Sequence, residues 1–291
     1  QFDLTRMNLI SLPEWFGDLA KLQDLNLQWC TSLVSLPEGF GQLGNLQVLN
    51  LSYCRALTSL SEGFGDLNLT DVDFGYCNKL DIDVIFDVIF KFEGLTKLGL
   101  SRLEMETLPE RFGDLANLQT LYMEECTSLV SLPEGFRYLA NLQILDLYMC
   151  KNLITLPKGF GDLNLTELYL SDCTTLDLGL IFDVIFKFEG LSKLGLSGLK
   201  METLPERFGD LGNLQTLDLR YCGSLTSLSE RFGQLENLTE LNMTLCNSLI
   251  TLPEGFGDLA NLKELDLYGC EKLTSLSERF GQLENLTELN M

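Results

Sequence analysis

The sequence predicts an α/β solenoid: a parallel sheet of about thirteen short strands on a concave side, mostly 3-10 or irregular arms on a convex side, and two convex helices. Three observations predict it. A block L-x-x-L-x-L recurs with its first leucine at Leu22, Leu46, Leu69, Leu95, Leu118, Leu142, Leu165, Leu191, Leu214, Leu238, Leu262 and Leu286, spaced 23 to 26 residues apart, and Phe2 with Leu4 add a clipped copy. All nine cysteines stand at one place in that repeat, and all seven prolines stand at another. A unit of this length cannot bury its own apolar face, so copies stack and share one continuous core.

Within each copy the L-x-L core reads as a short strand whose leucines point inward while the residues between them face the other side of the pleat. Cys30, Cys54, Cys77, Cys126, Cys150, Cys173, Cys222, Cys246 and Cys270 follow at the bend out of the strand, a place suited to a small, buried, weakly donating side chain. Strands about 4.8 Å apart would bring neighbouring thiols toward disulfide geometry. An odd number of cysteines in strict period reads instead as a reduced ladder in an intracellular, cytoplasmic chain. With no histidine and no C-x-x-C, no metal is expected.

The return arm reads L-P-E-G-F-G-D-L, as from Leu36 to Leu43. Proline presets φ and the glycines break regular helix, so the arm is expected to be 3-10 or irregular. Ser61, Ser229 and Ser277 replace the proline in three copies. Phe16, Phe40, Phe64, Phe112, Phe136, Phe160, Phe208, Phe232, Phe256 and Phe280 recur at one arm position and predict a stacked aromatic spine. Two copies depart, with DIDVIFDVIFKFEG from Asp81 and DLGLIFDVIFKFEG from Asp177. Ile82, Ile85, Ile89 and Phe92 fall on one helical face, which predicts helices over 82–93 and 178–189. Val84, Val88 and Phe90, with Val184 and Phe186 in the second copy, lie outside that stripe. They form either a convex docking handle or packing against neighbouring arms.

A larger period is superimposed. KFEGLTKLGLSRLEMETLPERFGDL from Lys91 returns 96 residues later, little changed, from Lys187, and SLSERFGQLENLTELNM from Ser227 returns unchanged from Ser275. No linker interrupts the period, so residues 1–291 read as a single solenoid. Strands at both ends lack the polar caps that a stacked array needs, which marks the chain as a segment of a longer protein. No apolar run reaches the roughly 18 residues of a membrane span, and no signal peptide begins at Gln1.

The net charge of −22 comes largely from acids fixed in the repeat, such as Glu38 and Asp66. Such a field repels nucleic acid, which is held by lysine and arginine. The partner it suits is a protein with a basic surface; the plainer alternative is that solvated acids keep the array soluble. Six N-x-[ST] matches occur, at Asn50, Asn68, Asn164, Asn237, Asn242 and Asn285, and most arise because the repeat spells N-L-T before a strand.

Recognition is expected on the concave face, where aromatic residues outside a core supply rigid anchors. Trp29, Tyr53 and Tyr76 precede the cysteine in three consecutive copies, and Tyr122, Tyr148 and Tyr169 lie further into later strands. Asp24, Asp71 and Asp73 flank the first group, and Glu124, Glu125 and Glu167 the second. The surface so drawn is aromatic with an acidic rim, suited to arginine or lysine beside apolar groups. The alternative is that the aromatics only cover one another along the sheet.

The run LPEGFGDLANLQTLDL-x-x-C-x-SL-x-SLPE resembles the leucine-rich repeats of plant nucleotide-binding immune receptors and related intracellular plant, algal and protist arrays. The resemblance covers the full chain and implies a leucine-rich-repeat solenoid, or horseshoe, with immune sensing as its implied use. The chain departs from such receptors in its 96-residue duplication and helical inserts, and it contains no G-x-x-x-x-G-K-[ST] nucleotide loop. Its carboxylates are spread by the repeat, and the absence of histidine removes the usual triads, so neither catalysis nor a cofactor is expected. Two functions remain: a protein-binding module acting through the concave face, or a scaffold using repeated convex or lateral surfaces.

Overall fold

The computed structural model describes residues 1–291, which form two compact units, 1–145 and 146–291. In the first unit the strands are β1 (Phe2–Asp3), β2 (Asp24–Asn26), β3 (Val48–Asn50), β4 (Asp71–Asp73), β5 (Lys97–Gly99) and β6 (Thr120–Tyr122), and β7 (Ile144–Asp146) lies at the division. The second carries β8 (Glu167–Tyr169), β9 (Lys193–Gly195), β10 (Thr216–Asp218), β11 (Glu240–Asn242), β12 (Glu264–Asp266) and β13 (Glu288–Asn290). Within each unit the strands pair in parallel and in chain order, with like residues opposite one another, as in Leu25↔Leu49 and Leu217↔Leu241. Leu25 is buried while Asp24 and Asn26 keep contact with solvent, which is the alternation a one-sided strand requires. The expected leucine-rich-repeat solenoid of parallel strands with short arms is what the structure shows.

The arms are 3-10 helices of three to five residues, for example Glu38–Gln42 and Glu230–Gln234. Proline opens most of them with φ between −60 and −71°. Ser229 takes the same backbone, φ −72° and ψ 155° against −66° and 157° at Pro253, while its buried hydroxyl has no partner. Ser229→Pro is therefore expected to stabilise the chain by about 0.5–1 kcal/mol, by restricting the unfolded chain and removing an orphaned donor; thermal melts check it, and a lower Tm would contradict it.

Neighbouring arms touch through glycine backbone. A Cβ added at Gly233 would stand 1.9 Å from the carbonyl oxygen of Gly255, whereas one at Gly44 would meet nothing within 4 Å. Gly233→Ala is expected to force the two arms apart at about 1–3 kcal/mol, and Gly44→Ala to be near neutral; urea titration distinguishes them.

The phenylalanines stack as the period predicts. Phe16–Phe40 and Phe40–Phe64 lie 6.5 and 6.0 Å apart in the first unit, and Phe208–Phe232 and Phe232–Phe256 lie 6.3 and 6.1 Å apart in the second. Paired strands stand about 4.8 Å apart, so in each unit the arm side is the longer and the sheet lies inside the curve.

The helices are α1 (Ile82–Ile89) and α2 (Leu178–Ile185), capped by Asp81 and Asp177, whose carboxylates accept from Asp83 N and Leu180 N at 3.0 Å. Both end four residues before the expected 93 and 189. Lys91 N, Phe92 N and Leu95 N bond to the carbonyls of Val88, Ile89 and Phe92, tightening the chain so that Phe92 turns into the core. Phe92 meets Phe64 at 6.2 Å, and Phe188 meets Phe160 at 6.1 Å, so these rings take the place of the missing arm phenylalanine.

The residues of the expected convex handle are covered to different degrees. Val88 is buried. Phe90 stands edge-on to Phe112 beneath Arg111, whose guanidinium lies 4.2 Å from the ring centre, and Phe186 stands likewise to Phe208 beneath Arg207 at 4.9 Å. Val84 and Val184 are half-buried. Phe86 and Phe182 are half-buried too, and Leu180, which stands in the second copy where Val84 stands in the first, is exposed.

Candidate functional site

Where the chain bends out of each strand, the residue before the cysteine position adopts left-handed backbone: φ is 61 to 63° at Arg6, Trp29, Tyr53 and Tyr76, and 58 to 59° at Arg102, Glu125, Met149 and Asp172. This conformation is disfavoured for L side chains by roughly 1–2 kcal/mol, and Gly198 and Gly269 meet it without that penalty. In the first unit three consecutive members of the column are aromatic. Trp29 stacks on Tyr53 with centroids 3.9 Å apart, and Tyr53 on Tyr76 at 4.0 Å.

The cation places on these rings are filled by the chain itself. Arg6 lies 6.0 Å from the centre of Trp29, Arg55 lies 5.8 Å from Trp29 and 5.6 Å from Tyr53, and Arg102 lies 5.6 Å from Tyr76. Tyr76 donates its phenol proton to Glu125 at 2.6 Å, and Glu125 also pairs with Arg102. Burial, then the Glu125 carboxylate, pushes the Tyr76 phenol up. The aromatics thus do cover one another along the sheet, leaving ring edges rather than faces outward.

Of the acidic rim, Asp24 and Asp71 are half-buried on the sheet face, with Thr70 donating to Asp71 at 2.8 Å. Asp73 folds over Gly99, where a Cβ would stand 2.2 Å from its carboxylate oxygen, and accepts from Gly75 N at 2.8 Å. Burial raises its pKa, against the pull of that hydrogen bond. Glu124 accepts from the buried Ser101 at 3.0 Å, and Lys97 lies 5.2 Å from the centre of Tyr122. In the second unit Tyr169 donates to Glu167 at 3.0 Å, Lys193 pairs with Glu167 at 3.0 Å, and Tyr148 is exposed. Tyr122 belongs to one unit and Tyr148 and Tyr169 to the other, so the second aromatic group is distributed over both.

A hollow on the second unit's sheet face lies elsewhere. It encloses about 630 Å³ over β10 to β13, lined by Asp218, Arg220, Glu240, Asn242, Glu264, Asp266 and Glu288 among others. The register sets Glu240, Glu264 and Glu288 side by side on adjacent strands, an in-line column of like charge that is unfavourable by itself. The sequence carries this signal as E-L-N, E-L-D and E-L-N at successive strands, polar residues of a kind that the repeat also places on its arms. Arg220 is held by Asp218 at 2.7 Å.

All nine cysteines are unbridged thiols. Thiol hydrogens point to strand-end carbonyls of the preceding copy, as from Cys54 to Leu27 O at 3.2 Å and Cys173 to Leu147 O at 3.1 Å. Burial pushes the Cys54, Cys126, Cys173, Cys222 and Cys246 thiols up to about 12. Asn68, Asn237 and Asn285 donate their side-chain amides to the carbonyls of Gly44, Gly212 and Ala260 at 3.1, 2.7 and 2.7 Å, so these N-x-[ST] asparagines are rungs of a backbone ladder.

Comparisons with known proteins agree with this architecture. A family described as "Leucine-rich repeat region" matches residues 165–291, and one described as "Leucine Rich Repeat" matches residues 45–67. The chain is 44% identical over 68 residues to "Disease resistance-like protein DSC1" of Arabidopsis thaliana, covering 23% of this chain and 5% of that protein. It is 31% identical over 147 residues to "TMV resistance protein N" of Nicotiana glutinosa, covering 48% of this chain and 12% of that protein. The matches therefore span a small part of either plant protein's length. A solved leucine-rich-repeat protein of Leptospira interrogans aligns over 100% of this chain and 89% of its own with a TM-score of 0.67 and 24% identity, which shows a shared fold. No helix is long and apolar enough to cross a membrane. The stacked strands, the buried thiol ladder and these matches make the chain a leucine-rich-repeat protein whose repeats resemble those of plant disease-resistance proteins.

Proposed function

We propose that the chain is a protein-binding module that recognises its partner through the concave sheet face, and that the partner presents a basic surface. One observation carries this reading. The first strand position, on the sheet face, reads Asp24, Val48, Asp71, Lys97 and Thr120 in the first unit and Glu167, Lys193, Thr216, Glu240, Glu264 and Glu288 in the second, while the buried position beside it is leucine or valine throughout. A face kept only for stability would repeat as its core does. The hollow over β10 to β13, with five carboxylates and one tethered arginine, supports a basic complement. The likeness to plant resistance proteins supports a recognition role within a larger receptor, and the unbridged thiols support a reducing, intracellular compartment.

A pull-down with the intact chain, followed by mass spectrometry, identifies the partner. Changing Glu240, Glu264 and Glu288 together to lysine is then expected to weaken binding by about 2 kcal/mol or more. The same charge change at Glu14, Glu38 and Glu62, exposed on the arms, is expected to leave it within about threefold. Equal effects of both triples would reduce the reading to general electrostatics. A second reading, a scaffold with repeated lateral contacts, is favoured by the like-placed, half-buried Phe86 and Phe182 on helices 96 residues apart; it takes the lead if Phe86→Ala and Phe182→Ala release the partner and the sheet-face triple does not.

A further inference from the structure

The left-handed column of the first unit carries side chains that the fold does not require, since the same position is glycine at Gly198 and Gly269. Arg6 occupies that position one copy before Trp29, and Arg55 follows Cys54. Both guanidinium groups are exposed and lie within 6.0 Å of the centre of the Trp29 ring, with Arg55 also over Tyr53. Neither forms an ion pair, although acids outnumber bases 42 to 20, whereas Arg102, at the other end of the same stack, is taken by Glu125. Arg6 reaches the Trp29 ring, Arg55 lies beside the paired Trp29 and Tyr53 rings nearly equidistant from their centres, and a guanidinium without a carboxylate partner keeps its N–H edges available for bidentate acceptors.

We propose that Arg6 and Arg55, oriented by Trp29 and Tyr53, clamp the carboxylates of an acidic segment of a protein partner. An extended acidic segment offers carboxylates on one side about every 7 Å, and each guanidinium fork takes a carboxylate as a planar pair of hydrogen bonds. The acids elsewhere on the chain act over a screening length of about 8 Å in physiological salt. A short acidic segment at the clamp is admitted, whereas a long phosphate backbone would run along the acidic faces and be repelled. This site is separate from the acidic hollow over β10 to β13, and neither depends on the other.

Trp15 and Trp29 are the two tryptophans of the chain, so in a Trp15→Phe background Trp29 emission reports on the clamp alone. Titration with a capped hexaglutamate peptide at physiological salt is expected to give a saturable change in that emission. Arg6→Gln or Arg55→Gln should each weaken the peptide about tenfold, and the double variant should abolish the response. Arg6→Lys, which keeps the charge but not the fork, should recover only part of the affinity. Hexalysine should give no response, and inorganic tripolyphosphate should bind more weakly than hexaglutamate. The proposal is overturned if hexaglutamate gives no saturable change, if the response survives the double substitution, or if tripolyphosphate binds more tightly, which would make the clamp a phosphate site. The test reads nothing from Glu240, Glu264 or Glu288, so its failure leaves the sheet-face reading standing, and the converse holds.

Discussion

Replacing Phe232 by alanine is expected to destabilise the chain by about 3–5 kcal/mol, and the same replacement at Phe280 by well under half of that. The two phenylalanines lie in identical stretches of sequence, from Ser227 and from Ser275, so propensity and local chemistry cancel in the comparison. What differs is the neighbour. Phe232 is fully buried between Phe208 at 6.3 Å and Phe256 at 6.1 Å, whereas Phe280 stacks on Phe256 alone and remains partly open. Leu241 is 2% exposed and its counterpart Leu289 is 45% exposed. In a stacked array most of a repeat's stability resides in its interfaces, so a cavity between two arms removes contacts from both sides and a cavity at the last arm from one. Urea titration followed by circular dichroism measures both variants. Equal losses would place the stability within single repeats and contradict the stacking account.

Much of this architecture was legible because the period itself encodes it. A leucine at a fixed phase, a cysteine at the bend and one phenylalanine per arm each solve the same packing problem in every copy, so thirteen strands, the buried thiols and the spine follow from counting. The helical copies were legible as helices but not in their ends. Helical periodicity describes one face of Ile82 to Phe92, yet the position of Phe92 is decided by Phe64 in the preceding copy, and that of Phe90 by Phe112 and Arg111 in the next. Those demands pull the chain out of the helix at Ile89 and bring Phe90 toward the spine.

The candidate surfaces were legible only as residue types. Trp29, Tyr53 and Tyr76 stand out in the sequence, but whether their faces are open depends on side chains a whole repeat away. Arg6, Arg55 and Arg102 reach them across the stack, and no spacing rule within one copy announces that. The acid column at Glu240, Glu264 and Glu288 was the easier signal, since residues at one phase of a parallel stack become lateral neighbours. Reading down the columns of such a chain finds more of its surface chemistry than reading along it.

The thiol ladder should make the chain sensitive to alkali, with a collapse of stability between about pH 9 and pH 11. Unfolded cysteine ionises near pH 8.5, while in the folded chain burial pushes Cys54, Cys126, Cys173, Cys222 and Cys246 up to about 12. The folded state therefore holds protons that the unfolded state releases. The stabilising contribution is fully present below about pH 8.5 and is lost as pH rises from there toward 12. At pH 10 each of the five thiols accounts for roughly 2 kcal/mol of lost stability, about 10 kcal/mol together if they act independently, which is comparable to the whole stability of an ordinary domain. Below that window a thiol reagent should label almost none of the nine cysteines in the native chain at pH 8 and all nine in denaturant. Thermal melts from pH 7.5 to 10.5 follow the loss. Tyrosine ionisation and rising negative charge act in the same direction, so the decisive variant is Cys54→Ser, whose hydroxyl still reaches the Leu27 carbonyl that now accepts from the thiol at 3.2 Å and does not titrate. It should recover about 2 kcal/mol of the difference between pH 8 and pH 10. A stability profile that stays flat to pH 10, or a Cys54→Ser profile parallel to that of the parent chain, would show that the buried thiols do not govern the alkaline limb.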